Sequence, residues 1–335
     1  MKIKSFSHYI QGYFLSYLIA QRGYGKNTLS SYRDTFKVLF LFLEENKLTV
    51  STLSIDKIDK SCIVDFLYWL ENTRKNTVST RNVRLAHLKS FWSYVLATTP
   101  EWADHCSQII HIPFKKTERK PPAYLTEIET KQLLGIPDGN TRSGIRHMAM
   151  LALLYDSGCR VQELITLNTS DVSLGDVCKL FIKGKGDKYR EVPIMPETGK
   201  ILSKYVKVYA QQSEKPLFIN SRGERLTRAG IAHILNKYQK LAKEMNIEPF
   251  QEKLSPHLLR HSKATHLVNQ GVSIYNIRDF LGHASVTTTQ MYLTANPEVM
   301  REAIEKASLK TVPDSADYYS SEEKMDLMAF LETLF

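Results

Sequence analysis

Apolar positions recur at helical spacing through the first hundred residues. Phe6, Ile10, Tyr13, Phe14, Tyr17 and Leu18 line one face of a segment that Gly23 and Gly25 end. A second helix is predicted from Asn27 or Thr28, a plausible N-cap, through Leu29, Tyr32, Phe36, Leu39, Phe40 and Leu43. A third follows Asp59 and carries Ile63, Phe66, Leu67 and Leu70; a fourth starts near Ser79 with Val83, Leu88, Phe91, Trp92 and Val95. Four amphipathic helices with short connections make a small bundle. On the fourth, Arg81, Arg84 and His87 fall at i, i+3 and i+6, with Lys89 nearby. Such a row is either a solvated face or a face for phosphate groups.

The periodicity breaks at residues 112–123, where Pro113, Pro121 and Pro122 oppose regular structure and Lys115, Lys116, Arg119 and Lys120 supply charge. The chain thus divides into a helical domain (1–110), a basic proline-containing linker (111–124), a second domain (125–310) and a tail (311–335). The linker either crosses a DNA backbone or is a soluble spacer. In the second domain, Thr126 with Glu129 fits a capping box, and Ser143 opens a helix over Met148–Tyr155 that Gly158 stops. Residues 179–183 and 189–194, around a Gly-Lys-Gly-Asp turn, read as a hairpin; helices fill the rest, so this is an α+β domain with a small sheet. The tail ends in the apolar positions Met325, Leu327, Met328, Phe330, Leu331, Leu334 and Phe335, a short helix that should dock on its own domain or a neighbouring subunit. The whole is mainly α.

Composition narrows the function classes. The 335 residues allow one to three domains, and 43% hydrophobic with 24% charged residues is ordinary for a globular protein. Lys and Arg number 45 against 35 Asp and Glu, a net charge of +10. A polyanionic partner fits that surplus, nucleic acid first and an anionic membrane surface second. Cys62, Cys106, Cys159 and Cys178 form no CxxC pair, which argues against a zinc or disulfide framework and for a reducing, cytoplasmic setting. No stretch approaches the roughly 20 apolar residues of a membrane helix.

Four segments carry candidate chemistry. In Leu254-Ser-Pro-His-Leu-Leu-Arg-His-Ser-Lys-Ala-Thr-His, Ser255 as N-cap and Pro256 at N1 start a helix that ends at Gly271. His257 and Arg260 then share a face near the positive end of the helix dipole, a setting suited to a phosphate group. His257 and His261 also stand at the i, i+4 spacing of zinc helices, but Leu258 occupies the place of the glutamate in that motif, so no metal is expected. Gly158-Cys-Arg160-Val-Gln-Glu163-Leu opens a helix in which Arg160 can point outward with Glu163 holding it. Lys185 lies between two glycines in the hairpin turn, near Lys188 and Arg190. Gly282-His283 ends another helix, and Tyr292 follows nine residues after His283. Each of these alone is more often a packing or solvated residue than a functional one.

Together the segments resemble the tyrosine recombinase, or phage integrase, family in its simple two-domain form. The family's ordered signature falls on Arg160, Lys185, His257, Arg260, His283 and Tyr292, in matching contexts across residues 125–305. The helical first domain fits the family's four-helix, SAM-like core-binding domain. Because its pattern begins within a few residues of Met1, the arm-binding domain of lambda-type integrases is not expected. The resemblance implies site-specific cleavage and rejoining of DNA through a 3′-phosphotyrosyl intermediate. Tyr292 would be the nucleophile, His257 the general base, Lys185 the general acid, Arg160 and Arg260 the clamp on the phosphate, His283 a further phosphate contact and Glu163 a support. It implies no cofactor or metal, a double-stranded recombination site as partner and a homo-tetramer on synapsed DNA, monomeric when free, with partner recombinases as an option. Arg81, Arg84, Lys115, Lys116, Lys120, Lys188 and Arg190 are candidate DNA contacts. Residues 217–231 resemble a segment of transposon recombinases, which favours integration, excision or transposition of a mobile element. Chromosome- or plasmid-dimer resolution is the alternative. A catalytically silent DNA-binding factor and a metal-dependent nuclease are the competing classes.

Overall fold

A computed structural model describes residues 5–48, 53–117, 122–184, 189–209, 214–245, 250, 253–292, 325 and 329–330. The chain folds as two compact units, Met1–Arg119 and Lys120–Phe335.

The first unit is helical: α1 (Phe6–Gly12), α2 (Lys26–Glu45), α3 (Lys60–Asn72), α4 (Val78–Thr98) and α5 (Ala103–Ile110). Helix α5 is a fifth helix beyond the four read from the sequence. Its eight residues bury only Cys106 and Ile109, too short a stripe for periodicity to reveal. The first predicted helix is two pieces, because at Tyr13 the winding widens into a π-helix, Tyr13–Gln21. Its i, i+5 pattern buries Tyr13 and Leu18 and leaves Leu15 exposed. Tyr13 is the hub of the core: the rings of Tyr32, Phe36, Phe91 and Tyr94 surround it, and its hydroxyl donates to Ser90 Oγ at 2.8 Å. Asp59 and Thr77 cap α3 and α4 by accepting from the backbone N–H groups of Cys62 and Thr80. Helix α2 starts at Lys26 behind Gly25, earlier than predicted and without a side-chain cap.

The second unit surrounds α7 (Arg142–Ser157), which is buried on nearly every side. Thr141 caps it, two residues before the predicted Ser143, by accepting from Gly144 N at 3.0 Å. Helix α6 (Glu127–Gly135) precedes it with the Thr126–Glu129 capping box formed. Helix α8 (Val161–Thr166) leads to a three-stranded antiparallel sheet in the order β1 (Val172–Leu174), β2 (Cys178–Lys183), β3 (Tyr189–Pro193). Leu180 pairs with Val192 and Ile182 with Arg190 across β2 and β3, and Leu180, Ile182 and Val192 are fully buried. Strand β1, at three residues, is too short for its alternation to be read from the sequence. Then come α9 (Pro196–Tyr209), α10 (Arg228–Glu244), α11 (Pro256–Asn269), α12 (Ile274–Leu281) and α13 (Thr287–Gln290). Helix α11 starts on its predicted cap: Ser255 accepts from Leu258 N, with Pro256 in the first turn.

The entry of the second unit is pinned to α11. Leu125 N donates to Ser262 Oγ at 2.8 Å, and Leu125 O bonds His266 Nε2 at 2.9 Å. A carbonyl only accepts, so Nε2 carries the proton and Nδ1 accepts from the Tyr155 hydroxyl at 2.9 Å. Among the described residues, no helix is long and apolar enough to cross a membrane.

Candidate active site

Two left-handed glycines aim the backbone toward one place. Gly158, at φ +55°, ends α7, and Gly282, at φ +66°, ends α12. Behind Gly282, Gly282 N donates to Asp279 O and His283 N to Arg278 O, which leaves the next carbonyls of the α12 terminus without helical partners. Three arginines from three other elements supply them in succession. Arg190 Nε on β3 donates to Phe280 O at 3.1 Å, Arg260 Nη2 on α11 to Leu281 O at 2.7 Å, and Arg160 Nη2, at the N-cap of α8, to Gly282 O at 3.1 Å. The partial negative charge of a helix C-terminus is a natural seat for guanidinium groups.

Glu163 binds the same cluster from below. Its carboxylate accepts from Arg160 N at 2.8 Å and Arg160 Nη1 at 2.9 Å, and from Arg190 Nη1 and Nη2 at 3.1 and 2.8 Å. Burial alone would favour the neutral carboxyl. The hydrogen bonds and charges of Arg190 and Arg160 outweigh it and hold Glu163 below the ordinary carboxylate range, so it is ionised at neutral pH. Arg260 also donates from Nη1 to Gly158 O and is 3% exposed. Burial first, then the nearby charge of Arg160, lowers its proton affinity to about 10, still well above neutrality. Arg160 keeps 38% of its side chain exposed and is the guanidinium of the trio that faces solvent most.

Gly282 allows no side chain. A Cβ there would lie 2.7 Å from Arg190 Nη1, on a backbone that L-residues rarely adopt. Gly282→Ala is expected to destabilise the fold by about 1–3 kcal/mol, read as a lowered midpoint in denaturant unfolding. An unchanged midpoint would contradict the packing described.

The histidines and tyrosine adjoin this cluster. His257 is exposed on the first turn of α11, one turn from His261, with ring centroids 6.4 Å apart. The Tyr292 hydroxyl bonds His261 Nδ1 at 2.8 Å. Tyr292 is 1% exposed and packs with Ala264, Val268, Ile277 and Leu281. Burial raises its pKa, while the charges of Arg260 and Arg160 oppose that rise. His283 lies nearly parallel to the Tyr292 ring at 6.4 Å and bonds Thr289 Oγ1 through Nδ1 at 2.9 Å. Burial, then Arg260 and Arg160, pushes its pKa down to about 4, so it is neutral at pH 7. Ser285 accepts from Thr287 N at the start of α13, and Tyr292 follows that helix rather than lying on it.

Thus Arg160, Glu163, Arg260, His283 and Tyr292 gather in one region, with His257 at its rim. Lys185 and Lys188 lie outside the described residues. Arg190, expected as a DNA contact, turns inward instead. It shares strand parity with the buried Val192, and that alternation is the signal that could have located it. The resemblance gave His257 the role of base, whereas His261 is the one bonded to Tyr292. Their i, i+4 spacing alone could not distinguish them. Lys263 pairs with Asp156 at 3.2 Å. Among the described residues, no group of His, Cys, Asp or Glu is arranged to hold a metal ion.

The candidate DNA contacts of the first unit differ in setting. Arg81 is 3.6 Å from Glu71, with 11% of its side chain exposed. Arg84 has Nε and Nη1 buried with no partner among the described residues. Lys115 pairs with Glu71 at 2.7 Å, while the Asn82 amide holds the Lys115 backbone through both N and O. The linker's start is therefore fastened to the helical unit. Lys116 is exposed, and Lys120 lies outside the described residues, as does nearly all of the tail.

A profile described as the phage integrase family matches residues 123–298, and one described as the phage integrase N-terminal SAM-like domain matches residues 12–98. The y4rC protein of Sinorhizobium fredii is 35% identical over 334 residues, 99% of both chains. Tyrosine recombinase XerD of Oceanobacillus iheyensis is 35% identical over 288 residues, 83% of this chain and 91% of that one. Among solved structures, the Tn1549 transposon integrase in complex with a circular intermediate DNA shares the fold at TM-score 0.67 and 18% identity, covering 88% of this chain and 98% of that one. Two signature arginines bound to the end of one helix, both domain profiles and full-length relatives agree: the chain belongs to the phage integrase family of tyrosine recombinases.

Proposed function

We propose that this protein cuts and rejoins double-stranded DNA at specific sites with Tyr292 as nucleophile. The observation that carries the reading is the gathering of Arg160 and Arg260 on the α12 terminus beside the Tyr292 segment. A phosphodiester gains negative charge in its five-coordinate transition state, and two arginines can neutralise it. Among the described residues, side-chain hydrogen bonds use two of the five N–H groups of each, which leaves donors for phosphate oxygens. Tyr292 Oη bonds to phosphorus as the bond to the 5′-oxygen breaks. The phenol, with an ordinary pKa of about 10, gives up its proton to His257, and Lys185 protonates the departing 5′-oxygen. His283, neutral and close to the arginines, donates to the phosphate. Glu163 holds Arg160 and, through Arg190, the sheet edge. Attack of a second 5′-hydroxyl on the phosphotyrosine reverses these steps, so the bond energy is conserved and no cofactor is required.

On this reading the protein acts in the cytoplasm on a recombination site bound by the helical domain, the basic linker and the second domain. Four copies assemble on two synapsed sites, with the 311–335 tail docking on a neighbouring subunit, and monomers are present otherwise. Movement of a mobile element is the favoured role. The 35% identity to a XerD recombinase over most of both chains supports dimer resolution as the second reading. The reaction is testable without knowing the natural site. Duplexes selected from a randomised pool on immobilised protein, nicked to trap the intermediate, should give a covalent protein–DNA adduct in EDTA. Adduct formation only with added divalent metal would favour a nuclease, and tight retention with no adduct a silent binder.

A further inference from the structure

Among the described residues the Tyr292 hydroxyl bonds to His261, not His257, and this has consequences if Tyr292 is the nucleophile, as proposed above. The bond is short, 2.8 Å, and the phenol around it is enclosed: 1% exposed, packed on Ala264, Val268, Ile277 and Leu281, with the His283 ring parallel to its own. Arg160, by contrast, opens to solvent. A hydroxyl so enclosed and bonded to His261 is not free to attack a phosphate that reaches Arg160 from solvent.

The chemistry of His261 defines what the bond does. Burial, then the neighbouring His257 and Arg260, lowers its proton affinity. It is therefore neutral at pH 7, and its Nδ1 lone pair accepts from the phenol. Taking the proton outright would place an imidazolium beside a guanidinium in a buried setting. His261 is thus a good acceptor and a poor base: it holds the hydroxyl without activating it.

We propose that His261 is a positioning residue that holds the protonated Tyr292 hydroxyl in the DNA-free protein, and that strand cleavage begins with exchange of this bond for contacts at the scissile phosphate. Tyr292 lies two residues beyond α13, whose Thr289 is bonded to His283.

Two measurements test this. In DNA-free wild type, the Tyr292 hydroxyl proton should give a slowly exchanging NMR signal, missing in Tyr292→Phe and close in space to the His261 ring. Absence of that signal overturns the proposal without any demand on a variant's folding. On the nicked duplex, His261→Ala should form the Tyr292 adduct about two- to tenfold faster than wild type in single turnover, the range set by the net worth of one hydrogen bond. His261→Asn, whose side-chain oxygen restores an acceptor near Nδ1, should return the rate to the wild-type value. A folded His261→Ala with an unchanged or slower rate overturns the holding role. Failure of wild type itself to form a Tyr292-dependent adduct removes the nucleophile assignment instead.

Discussion

Tyr292→Phe is expected to abolish covalent adduct formation, by at least about 10⁴-fold in rate, while leaving retention of the same duplex within a few-fold of wild type. The substitution removes one oxygen from a ring that packs in an apolar cluster and whose hydroxyl, among the described residues, bonds to His261. The fold should tolerate that loss, since an acceptor losing its donor there is half-buried and neutral. Chemistry and binding therefore separate cleanly in this variant. Denaturing gels follow the adduct, and native gels follow retention. An adduct that persists in Tyr292→Phe would assign the nucleophile elsewhere.

Arg160→Lys is expected to lower the adduct rate about 10²–10³-fold with little change in retention. The guanidinium of Arg160 spans three tasks at once: it donates to Glu163, donates to Gly282 O, and keeps further N–H groups toward solvent. A lysine ammonium is one compact centre and cannot hold two fixed partners while presenting a planar fork to a phosphate. Charge is kept in this variant, so the loss reports geometry rather than net electrostatics. A wild-type single-turnover rate in Arg160→Lys would show that the clamp needs only a positive charge.

Much of this was legible in the sequence, and the reason is local. Helix caps at Asp59, Thr126 and Ser255, the stops at Gly158 and Gly282, and the β2–β3 hairpin depend on neighbours within a few residues. Spacing therefore records them. The Arg160–Glu163 pair was visible for the same reason, being three residues apart on one turn. What escaped is long-range. That Arg190, Arg260 and Arg160 take three consecutive carbonyls of α12 follows from how β3, α11 and α8 meet, which no local pattern encodes. The widening at Tyr13 escaped too: it is fixed by the ring cluster from α2 and α4, so an ordinary helical period was the natural reading. The family resemblance supplied the grouping of the candidate catalytic residues before any geometry did, and the carbonyl cluster gives the meeting of Arg160 and Arg260 a physical cause.

The central claim is that a phenolic oxygen of this chain becomes joined to a 3′-phosphate of DNA. Tandem mass spectrometry of the nuclease-trimmed, protease-digested adduct tests it most directly. A nucleotide attached through its 3′-phosphate to Tyr292, with a free 5′-hydroxyl on the released strand, is the expected result. Attachment to any other side chain, or through a 5′-phosphate, would contradict the account.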